Sequence, residues 1–196
     1  MTIDDIPVIA PYFRFVTTNT CDFTVGGMFM WRDYFHMAWQ VEDGVLYSTL
    51  TGEDGNLYYN LPLGEDIPAG LRQCLARHPE RPVRFCTIPE ADLPLFRELP
   101  GRVEITEEEN FADYLYSAEE MIQLSGKKFS GQRNHISRFL RTCQSWSFEP
   151  LDSTDAAEVE AFFHTLNKKL NYAPGEAAEE NHKVQEVLEH LDQYGL

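Results

Sequence analysis

The 196-residue chain is 43% hydrophobic and 13% aromatic, ample for a packed core and incompatible with wholesale disorder. Its 32 acidic against 16 basic residues give a formal net charge of -16, so the surface on average repels nucleic acid and anionic membranes. A polyanion can therefore be met only at a local basic island. No apolar run approaches the roughly 20 residues of a membrane span, and Met1-Thr2-Ile3-Asp4-Asp5 has acids where a secretory leader carries lysines. The four cysteines, Cys21, Cys74, Cys86 and Cys143, form no Cys-x-x-Cys pair. Reduced thiols in a cytoplasm, with no metal site, are expected.

No repeat of solenoid length and no low-complexity tract interrupts the chain. A first helix is expected over 22–35, where Phe23, Gly27, Met30, Trp31 and Tyr34 fall at helical spacing. It is apolar almost all round and so should be buried. Strands at 37–42 and 45–50 meet at Asp43-Gly44, a dipeptide favoured in tight hairpin turns, and a turn at 52–55 leads to a third strand at 57–61. Residues 63–66 open a helix over 68–77 with Leu71, Cys74 and Leu75 on its apolar face. A strand at 83–88, a short helix at 90–99 and strands at 103–106 and 112–116, separated by the acidic turn 107–110, complete an α+β order. Ser117-Ala118-Glu119-Glu120 has capping-box form and starts another helix. A longer one is expected over 130–142, with Ile136, Phe139 and Leu140 on its stripe.

A strand at 146–151 then alternates Trp146 and Phe148, and Asp152-Ser153-Thr154-Asp155 caps an amphipathic helix carrying Val159, Phe162, Phe163, Leu166 and Leu170. Pro174-Gly175 is expected to break the chain before a last helix that aligns Val184, Val187, Leu188 and Leu191. Trp31, Trp39 and Trp146 are expected as core anchors. One strand and two amphipathic helices after Trp146 need a sheet to cover their apolar faces. They either pack on the first half, are completed by a swapped second copy, or open a domain that continues past Leu196. Gly195-Leu196, a helix stop followed by the first residue of a strand, favours the last, a second domain truncated after its opening strand and two helices.

Lys127, Lys128, Arg133, Arg138 and Arg141, with His135 among them, form the basic island: five of the 16 basic residues within 15 positions. On a helix, Asn134, Ser137, Arg138 and Arg141 share one face, opposite Ile136 and Phe139. Such a face either docks the phosphates of tRNA, a lipid or a nucleotide, or belongs to a linker helix whose charges pair with nearby acids. Lys127-Lys128 beside Gly126 is the sharper candidate, since glycine lets a ligand approach the backbone. His135 has the residue type of a general base but no identified partner, and reads as structural or interfacial. His36, His78, His164, His182 and His190 lack metal-ligand spacing, Glu107-Glu108-Glu109 reads as a solvated turn, and no residue stands out as catalytic.

Cys21-Asp22-Phe23 with Met28-Phe29-Met30-Trp31-Arg32-Asp33, then Tyr114-Leu115-Tyr116-Ser117, and above all Leu124-Ser125-Gly126-Lys127-Lys128-Phe129 through Arg133-Asn134-His135-Ile136-Ser137-Arg138-Phe139, carry a resemblance. They resemble the phosphatidylglycerol lysyltransferase C-terminal domain family, including its stand-alone soluble bacterial members of unassigned function. The element order is similar to the GNAT acyltransferase fold: strand, two helices, three-strand meander, helix, strand, helix, two strands. The resemblance covers essentially the whole chain, which supplies the N-terminal two-thirds of a family domain. It implies a GNAT-like domain at 1–116, a helical linker with the basic segment at 117–143, and the start of a second GNAT-like domain at 144–196.

The resemblance further implies an aminoacyl- or acyl-transferase ancestry, with aminoacyl-tRNA or acyl-CoA as donor for the full-length protein. Membrane-anchored members move an amino acid from aminoacyl-tRNA onto a lipid headgroup. The implied partners are tRNA or a small acyl donor, not DNA; the alternative is a non-catalytic GNAT-like module that binds RNA or a protein. A GNAT domain holds its cofactor's pyrophosphate on N–H groups at the start of the helix after the meander. The matching loop here, Asn60-Leu61-Pro62-Leu63-Gly64-Glu65-Asp66, has one glycine, a proline that removes a donor and two carboxylates. No cofactor is expected in this chain, and alone it is expected to be inactive. Asn167-Lys168-Lys169 near Tyr172 sits where a GNAT's first helices contact the acceptor.

Overall fold

Residues 1–52, 54–109, 112–170 and 174–195 are described by the computed structural model. Contacts divide the chain into two units, residues 1–111 with 152–196 and residues 112–151.

The first unit begins with helical turns over a stretch where the sequence suggests no element: a 3-10 turn at Ile3–Asp5, helix α1 at Ile6–Ile9 and a second 3-10 turn at Ala10–Phe15. The Asp5 carboxylate accepts from the Thr2 N–H at 2.7 Å and from the Trp39 indole at 3.0 Å, tying these turns to the sheet. Helix α2, Val25–Met30, is shorter than the 22–35 expected. Thr24 caps it by accepting from the Gly27 N–H at 2.9 Å. Gly27 is required there, because a Cβ would lie 2.4 Å from the Cys21 carbonyl oxygen. Beyond Met30 the chain runs through turns to His36 at φ 48°, a left-handed position that ends helical geometry and leads into the first strand.

The sheet orders β1 (Ala38–Glu42), β2 (Val45–Thr51), β3 (Leu57–Tyr59) and β4 (Arg84–Phe85) in sequence, the first two pairings antiparallel and the last parallel. Asp43 and Gly44 both take positive φ, 49° and 74°, the tight-turn geometry whose twist matches the flanking strands. Helix α3, Ile67–Ala76, makes the crossover from β3 to β4. Val45, Leu46, Tyr47 and Ser48 are all buried, so β2 is covered on both faces. Leu46 meets Ile9, Met28 and Phe29 on one face; Val45 and Tyr47 meet Tyr59 and Cys74 on the other. A 3-10 turn at Glu90–Asp92 and helix α4, Leu93–Arg97, place Phe96 with Phe23, Leu61 and Leu71 in a third cluster.

The sheet stops at β4. The strands expected at 103–106 and 112–116 do not form, and neither does the one at 146–151. Leu115 is 98% and Phe148 92% exposed, and Trp146 and Leu151 lie open as well. An alternating segment becomes a strand only beside a partner, and the described residues offer none there. Trp31 is also more exposed than a core anchor, whereas Trp39 packs at the edge of the first cluster.

Three helices close the first unit: α7 (Ala156–Leu170), α8 (Pro174–Glu189) and α9 (Leu191–Tyr194). Pro174 starts α8 instead of breaking the chain, a position where its missing N–H costs nothing. Helix α8 lies against α7 and α2, and α9 lies against α1. The Tyr194 ring meets Phe29 edge-on at 6.5 Å. The Arg32 guanidinium clamps Glu186 with two contacts at 2.6 and 2.9 Å and donates to the Phe29 carbonyl at 2.6 Å. Lys183, itself buried, donates to Asp33 at 2.6 Å. The apolar faces of α8 and α9 are thus covered within this unit, by the N-terminal helices.

Burial pushes the Cys74 thiol up to about 12 and the Cys86 thiol up to about 11. Neither forms thiolate at neutral pH, and Cys74 is fully buried. In a labelling experiment with a thiol-reactive aromatic disulfide, Cys74 is expected to react only after denaturation, while exposed Cys21 reacts in the native protein.

The second unit is a helix pair. Ser117 caps α5 (Ala118–Gln123), which ends on Leu124 at φ 47°. Gly126 at φ 85° and a 3-10 turn at Lys127–Phe129 lead into α6, Ser130–Thr142, over the range expected from the sequence.

Candidate functional site

The basic island spans the turn between α5 and α6 and the length of α6, but its five cations have different surroundings. Lys128 donates to Glu120 at 2.6 Å and sits 5.0 Å above the Phe129 ring. Arg133 donates to the carbonyls of Leu124 and Gly126, the latter at 2.8 Å, and so fastens the turn. Gly126 has open space where a Cβ would be, and its positive φ by itself favours glycine there. Lys127, Arg138 and Arg141 have no carboxylate within ion-pair distance among the described residues and are exposed. Ile136, Phe139 and Leu140 are half-exposed on the other side of α6, with Phe139 edge-on to Trp146 at 5.8 Å. His135 is exposed and makes no hydrogen bond among the described residues, so nothing orients it as a base.

The loop after the meander is closed by its own residues. Leu61, Pro62, Leu63 and Gly64 are buried. Leu63 exchanges both backbone hydrogen bonds with Leu46, at 2.8 and 3.0 Å. The Asp66 carboxylate accepts from the Ala69 N–H at 2.8 Å, placing a negative charge on the N-terminus of α3. A Cβ on Gly64 would lie 2.9 Å from Val45.

Between α7 and α8 lies a cleft of about 230 Å³ whose walls include Val159, Glu160, Phe163, His164, His182 and Leu188. Among the described residues, no three His, Cys, Asp or Glu side chains are placed to hold a metal ion. Lys168 and Lys169 are exposed on α7; Tyr172 and the Asn167 side chain, invoked with them for acceptor contact, lie outside the described residues.

A further polar cluster goes unnoticed in the histidine spacings. His78, at the end of α3, has its Nε2 2.9 Å from the Tyr59 hydroxyl and its Nδ1 3.2 and 3.0 Å from the Arg81 guanidinium. The Arg77 guanidinium stacks over the Tyr47 ring at 4.1 Å and pairs with Glu42. A signal for this cluster is present in Arg77-His78-Pro79-Glu80-Arg81-Pro82-Val83-Arg84, which carries three arginines and one acid in an otherwise acidic chain.

No helix among the described residues is long and apolar enough to cross a membrane. The chain is similar over its full length to 67% of a crystallised conserved protein of unknown function from Bacteroides thetaiotaomicron VPI-5482, at 26% identity and a TM-score of 0.72. No curated protein matches it. The profile of the phosphatidylglycerol lysyltransferase C-terminal family matches residues 13–193, the stretch that holds the sheet, the basic helix pair and helices α7 and α8. The chain belongs to the phosphatidylglycerol lysyltransferase C-terminal family.

Proposed function

We propose that this protein serves as a cytoplasmic aminoacyl- or acyl-transferase of GNAT-like architecture, drawing on aminoacyl-tRNA or acyl-CoA as donor. Residues 1–116 form its first GNAT-like domain, 117–143 the linker, and 144 onward part of a second. The reaction asks for little beyond position: an acceptor amine or hydroxyl attacks the ester or thioester carbonyl, and the tRNA hydroxyl or the thiol leaves with the proton. The observation that carries the tRNA reading is the unpaired state of Lys127, Arg138 and Arg141 among the described residues. In a chain with 32 acids, exposed arginines without a carboxylate are available to phosphates. Lys128 and Arg133 maintain the turn that presents them.

Filter binding of tRNA across a salt series tests this. Neutralising Lys127, Arg138 and Arg141 together is expected to flatten the slope of log affinity against log salt by about 2, whereas Lys128→Gln alone changes it little. An unchanged slope in the triple variant sinks the docking surface.

A second reading, a GNAT-like module that binds RNA or a protein without catalysis, is favoured by the loop at 60–66. Its leucines are buried, the Asp66 carboxylate takes the Ala69 N–H, and that charge at the start of α3 disfavours a phosphate. Retained tRNA binding with no transfer from charged tRNA or acyl-CoA selects this reading over the first.

A further inference from the structure

A pocket of about 50 Å³ opens at the corner between α3 and β4, walled by Asn56, Tyr59, His78, Arg81, Pro82 and Arg84 among others. Its hydrogen bonds can be assigned from chemistry alone. A guanidinium carries only donors, so the Arg81 contacts make His78 Nδ1 an acceptor and put the neutral ring's proton on Nε2. That N–H donates to the Tyr59 hydroxyl oxygen at 2.9 Å. The Tyr59 hydroxyl, on a buried residue, receives this bond and still has its own hydrogen to give. No acceptor for that hydrogen is found among the described residues.

The relay therefore runs Arg81 to His78 to Tyr59 and ends on a donor without a recipient. Charge points the same way. Arg81 makes no ion pair among the described residues and spends its contacts on a neutral imidazole. Among the described residues, the nearby carboxylates are committed elsewhere: Glu42 to Arg77, and Asp54 to Asn56 and Tyr58. Glu80, on the loop between His78 and Arg81, is exposed. Arg84 adds a positive charge felt by Asp54. Donors and positive charge in excess, with no acceptor supplied, make an anion site. The volume admits one small tetrahedral group and is far below the several hundred Å³ of a nucleotide pocket.

We propose that this pocket binds a single tetrahedral oxyanion, free phosphate or the terminal phosphoryl group of a small phosphomonoester, held by Arg81 and the Tyr59 hydroxyl, with His78 taking up a proton as it binds. The anion draws the Arg81 guanidinium off Nδ1, and the freed nitrogen takes a proton from solvent. In the unliganded protein, burial and then the charges of Arg81 and Arg77 hold His78 below the ordinary imidazole value. A bound anion offsets those charges and raises it. Because binding raises the pKa, affinity increases as the pH falls through the imidazole range.

The test is an NMR titration of the His78 ring in the full chain with inorganic sulfate, whose charge stays constant while imidazole titrates. Sulfate is expected to shift the His78 signals saturably and to raise its midpoint by about one pH unit or more. Arg81→Gln, at an exposed position, should fold normally and lose at least tenfold in affinity; Tyr59→Phe should lose several-fold. Inorganic phosphate and glycerol 3-phosphate, run side by side, tell the sources apart: tighter binding of the ester identifies a phosphomonoester, and equal or weaker binding identifies the free anion. A His78 midpoint indifferent to sulfate, or an Arg81→Gln variant that binds as well as the parent, overturns the proposal.

Discussion

Phe29→Ala is expected to destabilise the protein by about 3–5 kcal/mol, the cost of emptying a buried aromatic site that its neighbours cannot refill. Phe29 is fully buried and joins Ile6, Ile9, Met28, Leu46 and Leu63 in one cluster, with the Tyr194 ring edge-on above it. Those neighbours come from α1, α2, β2, the loop after β3 and α9, so no one element can shift to close the hole without disturbing four others. Urea unfolding followed by circular dichroism measures the loss. A shift in midpoint worth less than about 1 kcal/mol means that this cluster is not the centre of the core.

Glu186→Ala is expected to cost about 3 kcal/mol, since it removes the two close contacts of the buried Arg32 guanidinium and leaves it only the Asp33 carboxylate at 3.7 Å. Replacing both partners by apolar residues of similar size, Arg32→Met with Glu186→Leu, should restore most of that loss, because the penalty lies in a buried charge stripped of its close partner. The pair also shapes acid stability. Burial pushes the Glu186 carboxyl up, but the Arg32 hydrogen bond and charge, the Lys183 charge and the Tyr194 hydroxyl together hold it below the usual carboxylate range. Its contribution is therefore complete above the unfolded value of about 4.5 and is lost as the pH falls through the lower folded value. Asp33, held down mainly by its bond from Lys183, acts in the same direction. Acid titrations should show a shallower loss of stability for Glu186→Ala than for the parent protein, and an unchanged acid limb removes Glu186 from that role.

Local signals in the sequence carry far in this fold, and long-range ones do not. Asp43-Gly44 places the hairpin, and the span of α6 follows from its apolar stripe alone. The three missing strands fail for a common reason: alternation of apolar residues reports a side-chain pattern, whereas a strand also needs a neighbour for its hydrogen bonds. The helical turns from Ile3 to Phe15 went unseen because their apolar residues are covered by tertiary contacts from α2 and α9. At the basic island, composition reveals the charges but not their uses; only the structure separates Lys128 and Arg133, which maintain the turn, from Lys127, Arg138 and Arg141. The His78 cluster was hidden because Tyr59 and Arg81 lie on different elements, and a search for metal spacing passes over a donor relay.

The Arg32–Glu186 and Asp33–Lys183 pairs join residues 154 and 150 positions apart. A ribosome adding 5–20 residues per second needs roughly 8 to 30 seconds to make the second half of each pair after the first. Throughout that interval Arg32 lacks the Glu186 clamp and Phe29 has no Tyr194 above it. The nascent chain therefore carries an open apolar face on its N-terminal helices until residues 183–194 have been translated. Closure of this unit waits on residues 183–194 leaving the ribosome, and until then the apolar face of α1 and α2 needs shielding.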